Sequence, residues 1–265
     1  MPSACLRNRS IIAITGEDRV AFLQGLITNE ATLLAEGTPI YAALLSPQGK
    51  FLHDFLLVPH ARQILLDVYS ERAADLLARL NTYKLRAKVA LELLPEMQVV
   101  AYWDVPAPAA EIVIADPRLG ALGGRVYGND LPHAGDDYEA HRIRLGIPEG
   151  AIDLHIDKTL PLEFGLDALH GLSFSKGCYV GQEVTARSKF RGQVRKQLYR
   201  VSASKPLPPL GTKVTTGILE IGELRSTSGH HGIAMLRTEE VEKTIEPLIA
   251  GNVEMDYHTP NWKRA

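Results

Sequence analysis

Hydrophobic and polar positions change their period several times along this chain, and each change predicts an element. Ile11-Ile-Ala-Ile-Thr15 is a continuous apolar run of strand length. Glu17 and Asp18 follow it, and Val20, Phe22, Leu23, Leu26 and Ile27 then recur at helical spacing. Between positions 41 and 58 two apolar runs flank Ser46-Pro-Gln-Gly-Lys50. There Pro47 presets one backbone angle and Gly49 tolerates angles closed to other residues, so a hairpin is expected. Residues 64–68 read as another strand, after which Ser70 stands where a cap belongs, with Ala74, Leu77, Ala78 and Leu80 on the apolar side of a helix. Strand-like runs recur at 88–94, 98–103 and 111–115. Gly120, Gly123 and Gly124 read as turn glycines, since neither a dinucleotide fingerprint nor a phosphate-loop lysine accompanies them. Strands in runs, punctuated by single helices, indicate an α+β fold rather than a doubly wound sheet. Beyond Lys205-Pro-Leu-Pro-Pro209, short β-type runs at 213–216, 218–224 and 233–236 predict a small β domain behind a proline boundary.

Composition narrows the class. With 45% hydrophobic and 23% charged residues in 265, the chain can bury a core. A net charge of -2 gives no global attraction to nucleic acid or to a membrane surface. No apolar run approaches the roughly 20 residues of a membrane helix. Cys5 and Cys178 are too few for a disulfide framework or a four-thiolate site, which favours a reducing compartment. The first apolar segment begins almost at once, without a leader pattern, so a cytoplasmic chain is expected. No heptad seam is present, and a monomer is expected.

The densest chemistry lies in Ser173-Phe-Ser-Lys-Gly-Cys-Tyr-Val-Gly-Gln-Glu-Val-Thr-Ala-Arg187, read as a loop entering a helix. Cys178 would precede the helix N-terminus, where exposed amides and Lys176 favour thiolate over thiol; the alternative is an inert buried cysteine. Glu183 and Arg187 stand one helical turn apart, as in a surface ion pair. Arg187, Lys189, Arg191, Arg195 and Lys196 form a local basic stretch, read as a rim for carboxylates or an acidic partner in preference to RNA. Asp153-Leu-His-Ile-Asp157 matches no established metal loop and reads as a solvated segment.

Lys176-Gly-Cys-Tyr-Val-Gly-Gln-Glu183 resembles the signature of YgfZ-like proteins, a branch of the glycine-cleavage T-protein family. The likeness continues through Ala186-Arg187, Lys189-Phe-Arg-Gly192, Leu145-Gly-Ile-Pro148 and Leu160-Pro-Leu-Glu163. In the N-terminal half, Phe22-Leu-Gln-Gly-Leu-Ile-Thr-Asn29, Leu45-Ser-Pro-Gln-Gly-Lys50 with Asp54, and Tyr83-Lys-Leu-Arg86 with Val89 are similar to the family's other segments. The resemblance implies a T-protein-like α+β folate-binding domain over 1–197, in two subdomains around a central opening, and a C-terminal β-barrel over 198–265.

It also implies binding of tetrahydrofolate or a derivative. Gln182, Glu183 and Arg187 are suited to a pterin edge and a glutamate tail, with Tyr179 beside them. Tyr83 and Arg86 either line the same opening or are structural. The implied function is assembly or repair of 4Fe–4S clusters in client enzymes, with Cys178 as functional thiol and Lys176 its neighbour. An A-type iron–sulfur carrier or the client itself would supply the remaining ligands, since one thiolate cannot hold a cubane cluster and no intrinsic metal site is implied. The alternative is a folate-dependent one-carbon (aminomethyl- or methyl-) transferase. Against it, Arg144 occupies the position where T-proteins carry a pterin-contacting glutamate.

Overall fold

The computed structural model describes residues 2–192 and 194–263. A five-stranded antiparallel sheet has the order Ile40–Leu45, Phe51–His60, Gln63–Tyr69, Arg9–Thr15, Ala90–Leu94. Its successive side chains point to opposite faces. Ile11, Ala13, Tyr41, Ala43 and Leu65 pack on one face against a second sheet, while Ile12, Ile14, Ala42, Leu44 and Leu66 pack on the other beneath a helix. Both faces are covered, so the strands read in sequence as continuous apolar runs without alternation.

The second sheet has the order Ser3–Cys5, Gln98–Tyr102, Gly124–Gly128, Ile112–Ala115. Gly123, at φ +78°, makes its entry turn, because a Cβ there would lie 2.0 Å from the Tyr102 carbonyl oxygen. The covering helix, Ser70–Lys84, buries Ala73, Leu76 and Leu80, with Leu77 partly buried. This corrects the expected stripe: Ala74 and Ala78 are exposed, since the leucines at 76, 77 and 80 set the inward face and the small alanines do not compete. Ser70 is not the cap either. Tyr69 holds that position, and the Ser70 hydroxyl pairs with Ser10 Oγ at 2.9 Å.

Six strands close into a barrel in the order Lys196–Ser202, His231–Arg237, Leu219–Ser228, Lys213–Thr216, Leu248–Ala250, Val253–His258. Leu198 and Ile233 from its wall join the core between the two sheets, and the helix Tyr138–Leu145 packs against it. Arg142, fully buried on that helix, donates to Asp153 Oδ2 at 2.8 Å and to Ser226 Oγ at 3.1 Å on the barrel. The α+β architecture with a C-terminal barrel is the one the sequence predicts. No helix among the described residues is long and apolar enough to cross a membrane.

Candidate functional site

The signature segment reaches its helix, Gln182–Arg191, through residues that alternate inward and outward. Lys176 and Tyr179 are buried, Gly177 and Cys178 are exposed, and Val180 leans on the core beneath the covering helix. Lys176 Nζ donates to the carbonyls of Gln24, Ile27 and Asn29 at 2.8, 2.7 and 2.7 Å, and lies 5.1 Å from the Tyr179 ring centre. Burial lowers this ammonium to about 8, with Glu30 opposing. Three carbonyls call for three N–H groups, which only the charged form has. Lys176 is thus a tether between this loop and the end of the helix Arg19–Gln24, with its charge turned inward rather than toward Cys178.

Gln182 N donates to Tyr179 O at 3.2 Å. Gly181 caps the helix at φ +83°, where a Cβ would lie 2.7 Å from Ser46 O; a Cβ on Gly49, at φ +71°, would lie 2.8 Å from Val184 Cβ. The predicted turn at Ser46 to Lys50 therefore packs on the signature helix, and the two glycines permit the approach. Two segments remote in sequence meet here.

Arg187 Nη2 donates to Glu183 Oε1 at 2.6 Å, on the exposed side of the helix, with Gln182 half-buried beside them. Tyr83 and Arg86 are exposed around the end of Ser70–Lys84. Among the described residues no hydrogen bond, ion pair or ring contact joins them to Cys178, Tyr179, Gln182, Glu183 or Arg187. Arg144 is exposed. In the basic stretch Lys189 pairs with Asp167 at 2.8 Å; the Arg191 side chain and Gln193 lie outside the described residues. The segment 153–157 is not simply solvated: Asp153 is buried on Arg142, and His155 Nε2 lies 2.6 Å from Glu223 Oε1. Among the described residues no group of three or more His, Cys, Asp or Glu is arranged to hold a metal ion.

Upstream of Cys178 the loop forms one wall of a pocket of about 570 Å³, whose lining includes Asn29, Glu30, Tyr41, His170, Ser173 and Phe174. This volume is in the range of small-molecule sites. Phe174, 44% exposed, presents an aromatic face with Lys189 Nζ 5.4 Å from its centre, and Glu30 presents a carboxylate lowered by its bonds to Thr32 and Gln24. Tyr83, Arg86, Tyr179, Gln182, Glu183 and Arg187 do not line this pocket. The pocket is marked in sequence only by Phe174 between two serines. Glu30, Tyr41 and His170 carry no local signal.

Behind Tyr41 the interior is ionic. Tyr41 donates to Asp54 Oδ2 at 2.9 Å, and the Arg118 guanidinium lies 5.6 Å from its ring centre. Burial, then the charge of Glu149, raises the Asp54 carboxyl, with Arg9 opposing. Asp67 accepts from Arg9 at 2.6 Å and from Arg125 at 2.5 Å, which ties the two sheets together; Arg9 also pairs with Glu149.

Residues 195–265 match the family model for the CAF17 C-terminal beta-barrel domain. Over 302 residues the chain is 34% identical to the mitochondrial iron–sulfur cluster assembly factor IBA57 of Homo sapiens, covering 98% of this chain and 85% of that one. The Mus musculus counterpart is 36% identical, at 97% and 84% coverage. Among solved structures, the glycine cleavage system aminomethyltransferase T from Bartonella henselae superposes with a TM-score of 0.80 at 14% identity, covering 98% of this chain and 86% of that one, which shows the shared fold. These curated relatives are mitochondrial, and that overturns the cytoplasmic expectation. Two free cysteines require only a compartment where thiols survive, a condition that does not single out the cytoplasm.

Proposed function

The chain belongs to the family of the iron–sulfur cluster assembly factor IBA57, and on that premise we propose that it assists cluster assembly on partner proteins, with Cys178 offered to the cluster as cargo. The observation that carries this reading is an exposed cysteine between two anchored neighbours, Lys176 and Tyr179. A cubane cluster takes four thiolates. This chain has two cysteines in all, so the remaining ligands come from an A-type iron–sulfur carrier or from the client enzyme. The test is maturation of a 4Fe–4S client with wild type and Cys178→Ser. Loss of maturation with an unchanged melting curve is expected; full support by the variant would exclude the role.

Tetrahydrofolate, or a derivative, belongs to the same reading and is assigned to the pocket beside Phe174. Its support is the pocket's size, its aromatic and carboxylate lining and its continuity with the Cys178 loop. When bound, folate would supply one-carbon or redox chemistry, while the residues of this chain hold and orient it. Calorimetry without oxygen on wild type, Phe174→Ala and Arg187→Ala separates the possibilities. Binding lost only in Phe174→Ala supports the pocket, binding lost in Arg187→Ala moves the site to the helix face, and no binding to wild type removes folate. One-carbon transfer itself has no observation in its favour here, because Arg144 is a cation where that chemistry uses a carboxylate.

A further inference from the structure

Three stretches that the Cys178 loop does not use converge elsewhere. The segment 153–157, the Leu160-Pro-Leu-Glu163 motif and the end of the basic stretch contribute His155, Glu163 and Lys196 to a cavity of about 310 Å³ between the α+β domain and the barrel. The barrel side of this cavity carries an unfavourable pair. Lys196 and Arg237 stand directly opposite each other where Lys196–Ser202 pairs with His231–Arg237, so their side chains leave the same face side by side. Like charges in that register repel. The same face carries Leu198 and Met235, which pack on the core between the two sheets, so both cations are turned toward the α+β domain.

No carboxylate of the chain answers them. Lys158 adds a third cation to the lining, and none of the three has an ion-pair partner among the described residues. Glu220 is taken by Lys213 at 3.1 Å, Glu223 by Arg225 at 2.6 Å and Asp153 by Arg142 at 2.8 Å. Glu163 Oε2 accepts from Leu160 N at 2.8 Å, and no ion pair joins it to a cation among the described residues. With His155 neutral, three uncompensated cations face one carboxylate, and a cleft focuses that surplus. Arg225, 5% exposed and donating to Asp153 O at 2.6 Å, ties the barrel wall to the opposite segment and fixes the shape of the cavity. We infer that this cavity binds a small dianion whose phosphate or carboxylate group bridges Lys196 and Arg237 and pairs with Lys158. Ammonium and guanidinium both form their strongest hydrogen bonds with such oxyanions. The site shares no lining residue with the pocket beside Phe174.

The test is calorimetry on the full chain with inorganic phosphate, succinate and acetate at constant ionic strength. Saturable binding of phosphate or succinate is expected, with acetate much weaker; the tighter of the two dianions tells whether the ligand presents a phosphoryl group or paired carboxylates. Lys196→Gln and Arg237→Gln should each weaken that binding about tenfold or more, the loss of one charge-assisted hydrogen bond, whereas Lys243→Gln, outside the cavity, should not. Without ligand both cavity variants should melt no lower than wild type, since each removes a repulsion. No binding of either dianion, equal binding of all three anions, or wild-type affinity in both cavity variants overturns the inference. So does a cavity variant destabilised without ligand, which would make the pair structural. None of these outcomes depends on the assembly role, which the Cys178→Ser assay reads separately.

Discussion

Two ion pairs of equal length divide this molecule. Arg9 meets Asp67 at 2.6 Å with side chains 4% and 0% exposed; Arg187 meets Glu183 at 2.6 Å with side chains 56% and 83% exposed. The first belongs to a network, since Asp67 also holds Arg125 and the Tyr127 hydroxyl, and Arg9 also reaches Glu149. Burial by itself would raise the Asp67 carboxyl; Arg9 and Arg125 outweigh it, and the carboxyl is lowered. In that interior every charge depends on its partners, because none can turn to water. On the helix both partners are already in water, and either is free to exchange the other for a ligand. Distance does not distinguish the two regions. Solvent does.

The sharpest way to break this contrast is to remove one buried partner. Asp67→Ala leaves Arg9 and Arg125 facing each other and should cost about 3–5 kcal/mol, read from urea unfolding. A cost under about 1 kcal/mol would mean that water enters the network and that the two regions differ little. The acid limb follows from the sign of the shift. A lowered carboxyl stabilises the fold above its unfolded value of 3.8, and that contribution is lost as pH falls through the folded value.

A second acid-side effect comes from His53, buried on the same sheet with Nε2 2.9 Å from Asp75 Oδ2. Burial and then the charge of Arg72 lower it from 6.5 to about 4. Between those values the unfolded chain takes up a proton that the folded one refuses. Stability therefore falls as pH drops through this window, by at most about 3 kcal/mol. His53→Gln should remove that slope, and an unchanged slope in the variant would assign the acid loss elsewhere.

Neighbours in one motif sharpen the comparison further. Lys176→Met leaves the carbonyls of Gln24, Ile27 and Asn29 without their donor and should cost about 2 kcal/mol, with faster amide exchange around residues 24–29. Cys178→Ser, two residues away and exposed, should shift stability by less than about 0.5 kcal/mol. Equal costs would mean that the loop does not separate an anchoring side from an open one.

This alternation explains how much the sequence discloses. The strands and the hairpin at Ser46 to Lys50 are legible because local turn chemistry and apolar runs carry them, and the barrel because its short strands alternate with turn residues. The cysteine loop is legible as a place, through its glycines and its family signature. Its internal logic is not: Lys176 stands beside Cys178 in sequence, yet the chain direction sends the two side chains opposite ways. The ionic interior is the least legible part. Arg9, Asp67 and Arg125 lie far apart in the chain and read individually as surface residues; strand pairing within the first sheet joins Arg9 to Asp67, and the stacking of the second sheet on it adds Arg125. The pocket is hidden for the same reason, since Glu30, Tyr41 and His170 arrive on separate segments.

The smallest expected effect tests the exposed end of the comparison. In a double-mutant cycle, Glu183→Ala and Arg187→Ala should each change stability by under about 0.5 kcal/mol, with a coupling of a few tenths that fades in salt. A small coupling leaves both side chains available, so a large loss of client maturation in either variant would then have to come from contacts made outside the chain. A coupling above about 1 kcal/mol would instead place this pair in the same class as Arg9 and Asp67. The helix face would then be a structural element, and the search for what Cys178 meets would move to the pocket beside Phe174.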